Sequence, residues 1–103
     1  MIARIWRTGL DESRAEEYDA FAAERSMPMF QRQPGIRAVF FVRTENGRAA
    51  ITMWQDLATA EALMTSKDYL DTVEAIKAAG FLRPPQSVEL LPVEQAWLAP
   101  DLV

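Results

Sequence analysis

The sequence holds no cysteine and no histidine among its 103 residues. The first absence excludes disulfides, thiolate nucleophiles and Cys-ligated zinc or iron–sulfur centres, and the second removes the imidazole base and the commonest metal ligand. Long apolar runs are also missing, so no segment is expected to span a membrane as a helix, and no membrane partner is expected. The opening Met1-Ile2-Ala3-Arg4-Ile5-Trp6-Arg7 is broken by charge and lacks the apolar core of a secretory signal, which predicts a cytoplasmic protein. Positive charge is scarce: 11 Lys and Arg stand against 15 Asp and Glu, a net charge of −4 that gives phosphate-backbone binding no support. Nucleic acid is therefore not an expected partner. The four glycines are isolated, so no phosphate-cradling loop is present. Acidic residues occur as Glu16, Glu17 and Asp19 and as Asp68, Asp71 and Glu74. They fall on polar helical positions, where solvation and the helix dipole account for them without a metal. Neither a cofactor nor a metal is expected.

Half of the residues are apolar and a quarter charged, which fits one globular domain. Residues 2–7 read as a first strand ending near Thr8-Gly9. Ser13-Arg14-Ala15-Glu16 has the form of a capping box, and Ala15, Tyr18, Phe21 and Ala22 recur at the spacing of one buried helical face. Pro28 lacks a backbone N–H, so this helix is expected to break at residues 26–28 and restart with Met29 and Phe30. Asp56 and Ser66 are N-cap candidates for two later helices, the second carrying Tyr69, Leu70, Val73 and Ile76 and closed by Gly80. Residues 81–85 read as a connector and Ser87 to Val93 as the last strand. Domain 1–95 is followed by a tail, 96–103, whose Trp97, Leu98 and Leu102 predict packing on the domain or on a dimer mate.

Ile36–Arg43 and Arg48–Trp54 are β-rich runs around Asn46-Gly47, the preferred pair for a two-residue type I′ hairpin turn. That turn places Glu45 opposite Arg48. One face of the hairpin then collects Ile36, Ala38, Phe40, Val42, Ala49, Ile51 and Met53, an apolar set suited to lying under helices. The other collects Arg37, Val39, Phe41, Arg43, Ala50, Thr52 and Trp54, and its mixture of large apolar groups with guanidinium predicts a covered but outer face. The element order is that of an α+β ferredoxin-like fold, a four-stranded antiparallel sheet with helices on one face. A chain of this length cannot cover the second face from within, which predicts a homodimer packed sheet to sheet through residues such as Phe41.

The first strand Met1-Ile2-Ala3-Arg4-Ile5-Trp6, the turn Gln33-Pro34-Gly35-Ile36, and Met53-Trp54-Gln55-Asp56 leading to Ala60-Glu61-Ala62-Leu63 and Ser66-Lys67-Asp68-Tyr69 resemble the antibiotic-biosynthesis-monooxygenase (ABM) family. The resemblance covers residues 1 to about 95. It implies a dimeric α+β barrel, and an activity among cofactor-independent oxygenases of phenols or quinols, haem-degrading enzymes, or domains without a reaction. The haem-degrading pattern has a Trp and an iron-ligating His where this chain has Leu63 and Val73, which excludes that ligation. The oxygenase pattern is matched at Trp54, while Ala50 and Ala60 stand where it has Asn and Tyr.

Candidate catalytic residues are Trp54, which can stack on an aromatic substrate or fill an interface; Tyr69, whose hydroxyl can donate to a substrate oxygen or reach solvent; and Arg43, the first choice among Arg4, Arg37 and Arg43 for holding a phenolate or carboxylate. Tyr18, Met29, Phe30 and Phe41 are candidates for a pocket or dimer face, with core filling as the alternative. Two functions are compatible with these residues: a cofactor-independent monooxygenase acting on a small aromatic compound, or a non-catalytic small-molecule-binding or accessory domain of the same fold.

Overall fold

The structure is a computed structural model that describes residues 1–102; Val103, the last residue of the predicted tail, lies outside them. Four strands, β1 (Ile2–Leu10), β2 (Ile36–Arg43), β3 (Gly47–Trp54) and β4 (Leu82–Pro92), form one antiparallel sheet in the order β2-β3-β1-β4. Helices α1 (Ala15–Phe21), α2 (Met27–Gln31), α3 (Leu57–Ala62) and α4 (Lys67–Ala79) lie between the strands in sequence and on one face of the sheet. This is the predicted ferredoxin-like α+β arrangement.

Local chemistry explains most boundaries. The Asp56 carboxylate accepts from the Thr59 backbone N–H at 2.9 Å and the Thr59 hydroxyl faces the Asp56 N–H, a reciprocal cap that starts α3. Ser66 Oγ accepts from the Tyr69 N–H and starts α4, while Gly80, at φ +81°, ends it in the left-handed conformation that costs glycine little. At α1 the cap differs from expectation. Ser13 makes no cap and α1 has no side-chain cap of its own; Asp11 accepts from the Ser13 N–H to begin a short 3-10 turn that leads into it. The expected break at Pro28 is also absent. A π turn at Ala22–Ser26 joins α1 to α2, with the Met27 N–H donating to the Ala22 carbonyl, and Pro28 falls in the first turn of α2, where its missing N–H costs little.

The hairpin corrects a second expectation. Arg43, not Glu45, lies opposite Arg48, and the Thr44 N–H donates to the Gly47 carbonyl at 3.0 Å, closing a three-residue link, 44–46. Asn46 does not adopt the positive φ that a type I′ turn requires. Gly47 is needed for another reason: a Cβ there would lie 2.0 Å from the Thr8 carbonyl oxygen of β1. Because the slip is an even number of residues, the side chains from Ala38 onward keep their group of face neighbours, while the bulge at Arg37 moves Ile36 opposite Trp54.

The two faces are nevertheless exchanged relative to the sequence reading. Trp54, Val39 and Phe41 pack under the helices with Met29, Phe30 and Leu63, and the Phe30 and Phe41 rings lie 6.4 Å apart. Phe40, 46% exposed, looks outward with Val42. Both faces of the hairpin carry large apolar groups, so alternation alone does not decide between them, and the arginines misdirected the choice. Arg37 sits in a bulge between Ile36 and Ala38 and reaches Gln55, while Arg43 ends its strand. Strand β4 starts at Leu82, earlier than predicted. Its register to β1 shifts between Arg7 and Gly9, and Pro84 and Pro85 occupy the stretch without ladder partners, where a missing donor is tolerated. After Pro92, the Val93 N–H donates to the Met1 carbonyl, and the tail then leaves the domain with Trp97 81% exposed and Leu98 and Leu102 exposed. The protomer does not cover these three side chains.

Candidate functional site

A cavity of about 190 Å³ lies between the helix-side face of the sheet and helices α1, α2 and α4. Its position follows from the alternation in β1, which sends Arg4 and Trp6 inward, and from the helical spacing that puts Tyr69, Thr72, Val73 and Ile76 on the sheet-facing side of α4. The π turn widens the helical register between Tyr18 and Met29, so that Tyr18, Ser26, Met29 and Phe30 all reach the cavity. Phe41 and Ala50 close its floor, and the exposed Lys77 and Val88 mark its mouth. The lining is mainly apolar with a few polar groups, the usual character of a small-molecule site.

Arg4 is the largest polar component. It is 1% exposed, and its Nη2 donates to the Tyr69 hydroxyl at 2.9 Å. Its Nε has no hydrogen-bond partner, and among the described residues its guanidinium makes no ion pair. The other buried arginine, Arg48, is treated differently: both its terminal nitrogens donate to Glu12, at 3.1 and 3.2 Å, over the Tyr18 ring. Burial pushes the Tyr18 hydroxyl up to about 12, opposed in part by the Arg48 charge. Outside the cavity lining, Asp68 accepts from both Nε and Nη2 of Arg32 at 2.8 Å, and this guanidinium holds its carboxyl below the usual range. That pair ties the end of α2 to the start of α4.

Among the three residues singled out as catalytic, only Tyr69 lines the cavity. Trp54 is fully buried in the core beside it, and its indole N–H is committed to Thr52 Oγ1 at 2.8 Å. Arg43 lies on a separate, shallower depression at the β2 edge, with Asp19, Met27 and Arg48. Tyr18, Met29, Phe30 and Phe41 do converge on the cavity, Tyr18 and Phe41 also forming the wall between it and that depression. Arg4 is the residue whose importance the sequence pattern understated. Inward alternation with Ile2 and Trp6 was the available signal, but arginine is so rarely buried that the edge reading prevailed. Among the described residues no cluster of acidic side chains could hold a metal ion, and no helix is long and apolar enough to cross a membrane.

No family model matches the chain, and no curated protein matches it. Solved structures do. SnoaB, a cofactor-independent oxygenase from Streptomyces nogalater, is 21% identical, with a TM-score of 0.72 over 92% of this chain and 94% of that one. An antibiotic biosynthesis monooxygenase is 15% identical with a TM-score of 0.72, covering 92% of this chain and all of the other. Rv0793 from Mycobacterium tuberculosis is 17% identical with a TM-score of 0.72, over 93% and 98% of the two chains. The chain thus has the fold of the antibiotic biosynthesis monooxygenase structures, as its sequence resemblance implied.

Proposed function

We propose that this chain is a homodimeric, cofactor-independent monooxygenase for a small phenol or quinol, bound in the cavity above β1 and β3. The observation that carries the reading is the Tyr69 hydroxyl set into a mainly apolar cavity beneath helices, against a fold shared with a cofactor-independent oxygenase. With no cofactor in the reaction, the substrate itself supplies the electrons that reduce oxygen. The protein's part is to orient the ring, exclude water and favour the electron-rich form. Tyr69 accepts a hydrogen bond from Arg4, which leaves its own proton free to donate to a substrate oxygen. Phe30 and Phe41 offer ring edges and faces to an aromatic body, and Trp54 supports the floor from below.

The test is oxygen uptake with a panel of phenols and quinols, paired with thermal shifts, since a ligand that binds only the native state raises the melting point. A stabilising phenol that also consumes oxygen supports the reading, and Tyr69→Phe is then expected to lower kcat by about 100-fold or more, in the range of a lost proton donor, with a smaller change in KM. Stabilisation without oxygen uptake supports the second reading, a non-catalytic binding or accessory domain. Ala50 favours that alternative, because it lines the cavity where the oxygenase pattern has a hydrogen-bonding Asn.

The dimer belongs to the same proposal. The outward face carries Ala38, Phe40 and Val42 of β2, Ile51 and Met53 of β3, Ala3 and Ile5 of β1, and Leu91 of β4, an apolar surface interrupted mainly by the Arg7–Glu89 pair. A second copy packed on this face would cover it, and the tail carrying Trp97 and Leu98 would find its apolar contact on that copy.

A further inference from the structure

A guanidinium taken out of water without a counter-charge is among the costliest arrangements in a protein, and natural chains avoid it unless the charge is used. Arg4 is in that position. It is 1% exposed, one hydrogen bond to a neutral hydroxyl is its only side-chain contact of that kind, and its Nε is left without a partner. The cavity beside it is lined by a second cation, Lys77 at the mouth, and by no Asp or Glu. Asp68, Glu89 and Glu12 are paired with other arginines, Arg32, Arg7 and Arg48. Arg48 shows that this chain pairs a buried arginine when the role is structural.

From this we infer that the ligand of the cavity is an organic anion, an aromatic body of one or two rings bearing an oxyanion, with the anionic end at Arg4 and Tyr69 and the apolar end toward Met29 and Phe30. The inference rests on the small-molecule reading above and adds the charge. The size follows from the volume, since about 190 Å³ exceeds the roughly 150 Å³ cavity that accepts a benzene ring. The charge follows from the donors. Arg4 has N–H groups to spare, and a guanidinium offers a carboxylate or phenolate two parallel hydrogen bonds that a neutral amide or alcohol cannot match. Tyr69 adds a third donor, because its oxygen already accepts from Arg4.

Calorimetric titration of the full chain with 2-naphthoate and with its neutral isostere 2-naphthamide tests the inference. The acid is expected to bind at least tenfold more tightly, and Arg4→Met, which keeps the bulk and removes the charge, is expected to abolish that preference. Lys77→Met is the control for the mouth and is expected to retain most of it. A nitrophenol titrated across its own pKa separates the two oxyanions: affinity that rises with ionisation points to a phenolate site, whereas tight naphthoate binding with no such rise points to a carboxylate site. Equal affinity of the wild type for acid and amide overturns the inference. A preference that survives in Arg4→Met overturns the assignment to Arg4. If Arg4→Met does not fold, the acid–amide ratio of the wild type decides alone. Binding of neutral phenols without any preference for anions sinks this inference and leaves the proposed function standing, while absence of all binding removes both.

Discussion

Tyr18 is 3% exposed, and that burial pushes its hydroxyl up to about 12 from an ordinary 10.0, against a smaller opposing pull from the Arg48 guanidinium. Between those two pH values the unfolded chain has released the proton and the fold still holds it, so stability falls as pH rises through the interval. Below it the contribution is intact. The loss is on the order of 2 kcal/mol, and Tyr18→Phe is expected to flatten this alkaline limb in urea denaturation curves recorded from about pH 9 to 11. An unchanged slope would mean that another group titrates there. The opposite sign applies to Asp68, whose carboxyl is held low by Arg32: its contribution is present above the carboxylate range and is lost as pH falls through it. Legibility at this scale depended on residue type. Tyr18, Met29, Phe30 and Tyr69 could be placed near a pocket because helical spacing groups them, and the structure brings all four to one cavity. On sequence Arg43 ranks ahead of Arg4, although only Arg4 lines the cavity, because an arginine on a strand carries the same letter whether it snorkels from an edge or lies buried in a cavity.

Elements were readable where a side chain commits the backbone locally. Asp56, Ser66 and Gly80 each satisfy or terminate a helix through atoms within three residues of themselves, and the predicted ends of α3 and α4 coincide with them. Elements misread were those decided by a partner far away in sequence. Asn46-Gly47 has the composition of a tight turn, yet Gly47 is held at the edge of β1, where even a methyl group would meet the Thr8 carbonyl. The link between the strands is then residues 44–46, three rather than two. Gly47→Ala is expected to lower stability by about 2 kcal/mol through overpacking, measurable as a reduced urea midpoint at constant m-value. Asn46→Ala, at a position that does not use the left-handed conformation, is expected to cost less than about 0.5 kcal/mol. Equal losses from the two would restore the tight-turn interpretation. Pro28 shows the same principle in a helix: the π turn before it shifts the hydrogen-bond register, so the break that proline ordinarily enforces is avoided and Met29 and Phe30 remain in the cavity wall.

For the whole molecule, the question that alternation could not answer was which apolar face of the hairpin turns toward the helices. Phe40 and Phe41 are adjacent in sequence and equal in size, and the structure gives them opposite environments: Phe41 packs on Phe30 under the helices, and Phe40 stands on the outer sheet surface. That opposition makes the proposed dimer testable with two neighbouring substitutions. Phe40→Glu introduces a charge on the outer face, where a second copy would have to bury it unpaired, and the cost of doing so is several kcal/mol. It is expected to yield a monomer by light scattering, with the helical circular dichroism preserved. Phe41→Ala leaves the outer face intact and removes core contacts, so the expected result is a loss of about 3 kcal/mol in stability at unchanged oligomeric mass. A wild-type monomer, or a Phe40→Glu variant still at dimer mass, would mean that the outer face is not the interface. In the latter case the exposed Trp97 and Leu98 of the tail become the next contact to test, by Trp97→Ala in the same measurement.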